Sequence, residues 1–215
     1  MSNQTDMPMQ ATALKVPDSL EDDELLRLPA TWEEYLDVID NVPYTVQFLN
    51  DEIIMSQASA DHETLVAVII WLLNNHYINL PDYRVLGSNV MITLPNEQAD
   101  FNADISVVKV PVTYGTTPGG KPSTMRIENP VIVVAVLSKS TRMFDQGEKM
   151  NYYKLIPSLQ HIVFIDQLQP FASVYSRTNV PDEWLNHDYR TLESTVRLGT
   201  LALPMSDIYR KTVFA

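Results

Sequence analysis

Residues 129–167 read NPVIVVAVLSKSTRMFDQGEKMNYYKLIPSLQHIVFIDQ, and three successive elements can be placed within them. Val131 to Leu137 is an unbroken apolar run, too short to cross a membrane and rich in β-branched side chains, the pattern of a strand covered on both faces. Asp145 to Leu155 then keeps apolar residues on one face and sets Asp145 and Lys149 four apart on another, which predicts a helix that Ser140 or Thr141 can cap. Pro157 ends it. His161 to Ile165 is a second apolar run, so the block predicts a strand, helix, strand unit with the usual right-handed crossover.

Around this block, 215 residues that are 45% hydrophobic suffice for one sizeable core. One domain is expected over residues 29–215, after an extension at 1–28 that reads as a partly disordered lead followed by a short acidic helix. No run approaches the roughly eighteen apolar residues of a membrane span, and MSNQTDMPMQ lacks a signal-peptide pattern, so a cytoplasmic location is expected. The absence of cysteine excludes disulfides, thiolate metal sites and cysteine nucleophiles. Carboxylate and histidine chemistry stay open.

The net charge of −12 argues against a protein that coats nucleic acid, because phosphate binding depends on Lys and Arg displacing counterions. Its distribution is uneven. Residues 1–108 hold 3 basic and 18 acidic side chains, residues 109–154 hold 7 and 3, and residues 155–215 hold 5 and 6. The segment 109–154 is therefore the candidate contact for DNA, although a run of charge is as often a solvated face.

Upstream, Thr31 and Glu34 have capping-box spacing, and TWEEYLDVID puts Trp32, Tyr35, Leu36 and Ile39 on one stripe of a helix. Tyr44 to Leu49 and Glu52 to Ser56 alternate around Asn50-Asp51 as a hairpin does. Ser59 to Ile78 predicts a long helix, capped by Asp61 and apolar almost all round, buried against a sheet. Tyr83 to Leu94 reads as one or two strands with a bend at Gly87-Ser88-Asn89, and Phe101 to Val110 as another. Pro111 to Pro130 reads as a long loop. Beyond the block, Phe171 to Ser176 is a strand, Pro181-Asp182-Glu183 a loop, and Tyr189 to Leu203 short edge strands.

VAVLSKST, Asp145, Lys149, Tyr153 and HIVFIDQ together resemble the Uma2 family of endonucleases, also called DUF820, of the PD-(D/E)xK nuclease superfamily. TWEEY is similar to the family's opening segment, and FNADISVVKV to its "YPD-V-x-V-V". The resemblance covers about residues 31–177 and implies an α/β (α+β) restriction-endonuclease-like fold, a central mixed β-sheet flanked by helices. It also implies a metal-dependent DNA endonuclease using Mg²⁺ or Mn²⁺, with Asp104 as metal ligand, Lys149 as the stabiliser of developing charge, and a homodimer by analogy. Gln47 stands where the family's hairpin carries its first glutamate, Glu52 matches the second, and His62 matches a histidine of the family pattern.

The departures are chemical. Where the family has the metal-binding glutamate of its EVLS motif, this chain has Ala135, and the partner position two residues on is Leu137. An acid and a lysine two apart on a strand point to one face, toward the metal. Two apolar residues there leave Asp104 as the one charged ligand, whereas Mg²⁺ rests on one or two carboxylates in near-octahedral geometry. Asp145 is the one substitute acid in reach, and its simpler role is an i,i+4 ion pair with Lys149 adding about 0.3–0.5 kcal/mol to the helix. Two functions follow: a DNA endonuclease with impaired or lost catalysis, or a non-catalytic nuclease-fold module that binds nucleic acid or protein.

Overall fold

A computed structural model describes residues 16–17, 20, 24–39, 42, 45–116 and 121–215. In chain order it gives β1 (Leu25–Pro29), α1 (Trp32–Val38), β2 (Thr45–Leu49), β3 (Glu52–Ser56), α2 (Ala60–Tyr77), β4 (Tyr83–Gly87) and β5 (Met91–Leu94). After a 3-10 turn come β6 (Ala99–Phe101), β7 (Ile105–Lys109), β8 (Tyr114–Thr116), β9 (Pro122–Ile127) and β10 (Pro130–Leu137). A helical segment follows, made of α3 (Arg142–Phe144), a π-helical turn (Asp145–Lys149) and α4 (Met150–Tyr153). The chain closes with β11 (His161–Asp166), β12 (Ala172–Arg177), β13 (Trp184–Tyr189), β14 (Thr195–Leu198), β15 (Leu201–Pro204) and α5 (Met205–Ile208).

The expected strand, helix, strand block lies at the heart of a six-stranded sheet ordered β13-β12-β11-β10-β7-β4. β10 pairs in parallel with β11, Ala135 opposite Phe164, and antiparallel with β7, Val134 opposite Ile105. Its side chains alternate between two apolar layers. Ile132, Val134 and Val136 pack with Leu65, Ile69 and Leu73 of α2, whereas Val133, Ala135 and Leu137 pack with Phe144, Tyr153, Ile156 and Phe164. Burial on both faces is why this strand reads as a continuous apolar run. A seven-stranded sheet, β1-β3-β2-β6-β5-β9-β8, and the β14-β15 pair complete the mixed α+β fold.

The capping box is in place: Glu34 N–H donates to Thr31 Oγ1 at 3.2 Å and Thr31 N–H to Glu34 Oε2 at 2.8 Å, and α1 lays Tyr35, fully buried, against Phe48. The hairpin turns through Asn50 and Asp51, both at positive φ, as a two-residue turn of this kind requires. Tyr44, its expected first residue, lies outside the described residues, as do residues 1–15 of the expected lead. Among the described residues no helix is long and apolar enough to cross a membrane.

Four expectations are corrected. The extension expected to end at residue 28 in a short acidic helix ends instead in β1 (Leu25–Pro29), a strand paired with β3, Arg27 opposite Ile54. Ser59, and not Asp61, caps α2, its side chain accepting from His62 N–H at 3.2 Å. The long loop at 111–130 contains β8 and β9, and β9 runs parallel to β5 with Ile92 opposite Ile127. Phe101 to Val110 is two strands in two sheets, because Asn102 turns away from any ladder. Its N–H donates to Gln47 Oε1 at 3.2 Å and its side-chain amide donates to the Ser88 carbonyl.

Candidate functional site

That break fixes the site. Residues 102–104 pass from the seven-stranded sheet to the six-stranded one. There they meet the end of β10, the first turn of α2 and the π-helical turn around a cavity of about 450 Å³. Gln47, His62, Asp104, Ser138, Asp145 and Lys149 all line it.

Asp104 immediately precedes β7. Beyond the last β7–β10 pair the Val136 amide meets the Asp104 carboxylate in place of a strand carbonyl, donating to Oδ2 at 2.6 Å. His62, in the first turn of α2, brings Nε2 to 3.4 Å from the same oxygen, and its Nδ1 lies 3.6 Å from Glu63 Oε1. Burial pushes the His62 imidazole down, but the hydrogen bond and negative charge of Asp104 outweigh it and hold its pKa above the ordinary histidine value.

Lys149 is 3% exposed. Its ammonium donates to Asp145 Oδ1 at 2.9 Å and to the Asn102 carbonyl at 2.6 Å, between the rings of Phe144 and Tyr153 at 5.6 and 5.9 Å. Burial alone would lower its pKa; the Asp145 charge overrides that and raises it, so the group stays protonated. The i,i+4 ion pair expected from the spacing is present, and it is buried within the π-helical turn. Asp145 and Lys149 face inward from this turn, with Glu148 left outside. There Glu148 accepts two hydrogen bonds from Arg27, at 2.8 and 2.9 Å, while Arg27 Nε reaches Glu52 at 2.8 Å. Glu52 is thus an ion-pair partner outside the cavity.

Gln47 is 3% exposed on β2, and its carbonyl anchors the Asn102 amide. A hydrogen-bonding amide at this position fixes the strand break. Ala135, like Glu52, stands apart from the cavity. Extending the β7–β10 register one step beyond Val134 and Ile105 sets it beside Asp104 on one sheet face, yet its methyl is packed in the apolar layer with Phe144 and Phe164 and does not line the cavity.

Sequence reasoning missed Asn102 as a cavity group, because the atom that matters is a main-chain carbonyl. It also missed Ser138, whose hydroxyl accepts from Thr141 N–H at 3.1 Å and so does the work expected of a Ser140 or Thr141 cap. Among the described residues no three His, Cys, Asp or Glu side chains are arranged to hold a metal ion.

A family model, Uma2, described as "Putative restriction endonuclease", matches residues 32–206. Two uncharacterized proteins of Synechocystis sp. are similar in sequence. One is 29% identical over 138 residues, covering 64% of this chain and 75% of that protein. The other is 24% identical over 183 residues, covering 85% and 92%. In structure the chain is similar to a crystal structure from Anabaena variabilis, titled a "putative nuclease belonging to DUF820", with a TM-score of 0.64 at 15% identity over 82% of this chain and 97% of that one. The fold is thus nuclease-like, and the chain, matched by the family model across both sheets and the cavity between them, belongs to the Uma2 family.

Proposed function

We propose that this protein uses a restriction-endonuclease-like fold to engage DNA but has lost metal-dependent cleavage of the phosphodiester. The observation that carries the reading is the donor set of the cavity. Two-metal and one-metal nuclease chemistry needs carboxylates free to hold an ion that polarises the phosphate and activates a water. Here the residue beside Asp104 is Ala135, one oxygen of Asp104 accepts the Val136 N–H, and Asp145 is bonded to Lys149. That set does not fit a resident Mg²⁺ or Mn²⁺, which prefers near-octahedral oxygen ligation.

What the chain's own residues can do is bind. His62, Ser138 and the first turn of α2 supply donors to an anionic group entering the cavity, with the Lys149 charge behind them. The basic segment offers less than its charge suggests: Arg126 is buried against Asp100 at 2.8 Å, Arg142 pairs with Asp166 at 2.9 Å, and Lys149 is internal. Lys109, Lys121 and Lys139 are its exposed cations. By analogy with nucleases that cut both strands, the reading includes a homodimer, which light scattering tests.

A second reading, an active endonuclease, is favoured by Asp104 and Lys149 lining the same cavity. Incubating supercoiled plasmid with the natural chain, Asp104→Ala and Ala135→Glu in Mg²⁺ or Mn²⁺ separates the two. No cutting by the natural chain is expected, with DNA binding retained in a filter or mobility assay. Cutting that disappears in Asp104→Ala overturns the proposal.

A further inference from the structure

We infer that Lys149 is a tethered cation: its ammonium fills a latent divalent-ion site formed by Asp145, the Asn102 carbonyl and Asp104, and removing that ammonium opens the site to Mn²⁺ or Mg²⁺. This deepens the proposed function and rests on its claim that the natural cavity holds no resident metal.

The partners of Lys149 Nζ are the first support. One is a carboxylate oxygen at 2.9 Å and the other a main-chain carbonyl at 2.6 Å. Both are hard oxygen donors of the kind that Mg²⁺, Ca²⁺ and Mn²⁺ select. The position is enforced. The side chain is rooted in the π-helical turn, almost fully buried, and held between the Phe144 and Tyr153 rings.

Charge balance is the second support. The cavity's buried or half-buried carboxylates, Asp104 and Asp145, already face His62 at 3.4 Å and Lys149 at 2.9 Å. An ion entering beside a fixed ammonium meets repulsion and finds Asp145 engaged. Without that ammonium, two carboxylates and a carbonyl are left with less positive charge among them than a low-dielectric site requires. Asp104 lines the same cavity as Asp145, Asn102 and Lys149, which puts the third ligand at the same opening.

The test is Mn²⁺ titration of the full chain, read by loss of the free-ion electron paramagnetic resonance signal, with melting temperature followed in parallel. The natural chain and Lys149→Arg are expected to leave the signal unchanged. Lys149→Met is expected to take up about one ion, at least about tenfold more tightly than the natural chain, and to melt higher with Mn²⁺ than without it. Adding Asp104→Ala to Lys149→Met should abolish the uptake. If Lys149→Met unfolds in the absence of metal, refolding on addition of Mn²⁺ supports the inference and failure to refold overturns it. It is also overturned if the natural chain binds Mn²⁺ as tightly, if folded Lys149→Met takes up none, or if uptake survives Asp104→Ala. Mn²⁺ uptake by the natural chain without plasmid cutting sinks this inference and the claim of a metal-free cavity, and leaves the proposed loss of cleavage standing. Cutting without uptake in the absence of DNA does the reverse.

Discussion

Replacing Asp145 by leucine should cost far more stability than an ordinary helical ion pair is worth. An exposed i,i+4 pair contributes about 0.3–0.5 kcal/mol. The side chains of Lys149 and Asp145 are only 4% and 6% exposed, with Nζ 2.9 Å from Oδ1. At that separation and an effective dielectric near 20, unit charges interact by about 5–6 kcal/mol. Removing one partner also leaves a buried ammonium with the Asn102 carbonyl as its remaining acceptor. Measured losses of this kind are about 3–5 kcal/mol. Against a total domain stability of about 5–15 kcal/mol that is a large fraction.

The double variant Asp145→Leu/Lys149→Met swaps the pair for apolar volume and should recover most of the loss, since the desolvation of both charges disappears with them. Urea unfolding followed by circular dichroism, with a shared slope, gives the double-mutant cycle. In a melt the single variant should fall by roughly 6–20 °C, taking about 2–4 °C per kcal/mol for a chain of this size. A loss below about 0.5 kcal/mol for Asp145→Leu would mean that the pair behaves as a solvated one and would refute the reasoning about the buried turn.

Acid stability should depend on Arg142. Burial would raise the pKa of Asp166, but hydrogen bonds from Arg142, Gln169 and the Leu168 amide outweigh it and hold the carboxyl below the ordinary aspartate range. The unfolded chain then binds the proton more readily, so this contribution is complete above about pH 4 to 5 and is lost as pH falls through the folded value. Arg142→Gln should flatten that acid limb in urea titrations between about pH 2 and pH 5, and an unchanged limb would remove Arg142 from the account. Gly115→Ala should destabilise by about 1–3 kcal/mol, because a Cβ there would stand 2.5 Å from Thr93 Cγ2 and 3.0 Å from Arg126 Cβ. A neutral effect in the same urea assay would mean that the β8–β9 hairpin moves aside.

The parts of the fold that were legible in sequence are those whose signal is local. β10 and β11 announce themselves because both faces are covered, and α1 because Thr31 and Glu34 satisfy each other within one turn. The break at Asn102 was not legible: alternation runs on through FNADISVVKV, and what interrupts the ladder is Gln47, 55 residues away, together with the Ser88 carbonyl. β9 was hidden by the glycines and prolines around it, and it exists by pairing with β5. At the site, the family resemblance singled out Asp104 and Lys149, which share the cavity, whereas burial of the Asp145–Lys149 pair depends on packing against Phe144, Tyr153 and the Asn102 carbonyl, which a local pattern does not show.

The same geometry explains how the fold accommodates alanine at 135 beside Asp104. Asp104 is held by the Val136 amide and Asn102 by its own amide on Gln47, so main-chain groups keep the junction in register whatever side chain stands at 135. A carboxylate at 135 would enter an apolar layer containing Phe144 and Phe164 and would lie beside Asp104, adding a like charge where burial already disfavours one. Only a bound cation would offset that. Once Lys149 supplies the cavity's positive charge from within the chain, no cation is available for a second acid, and alanine becomes the more stable choice. On the proposed reading, alanine at 135 and the inward lysine are two consequences of one electrostatic constraint.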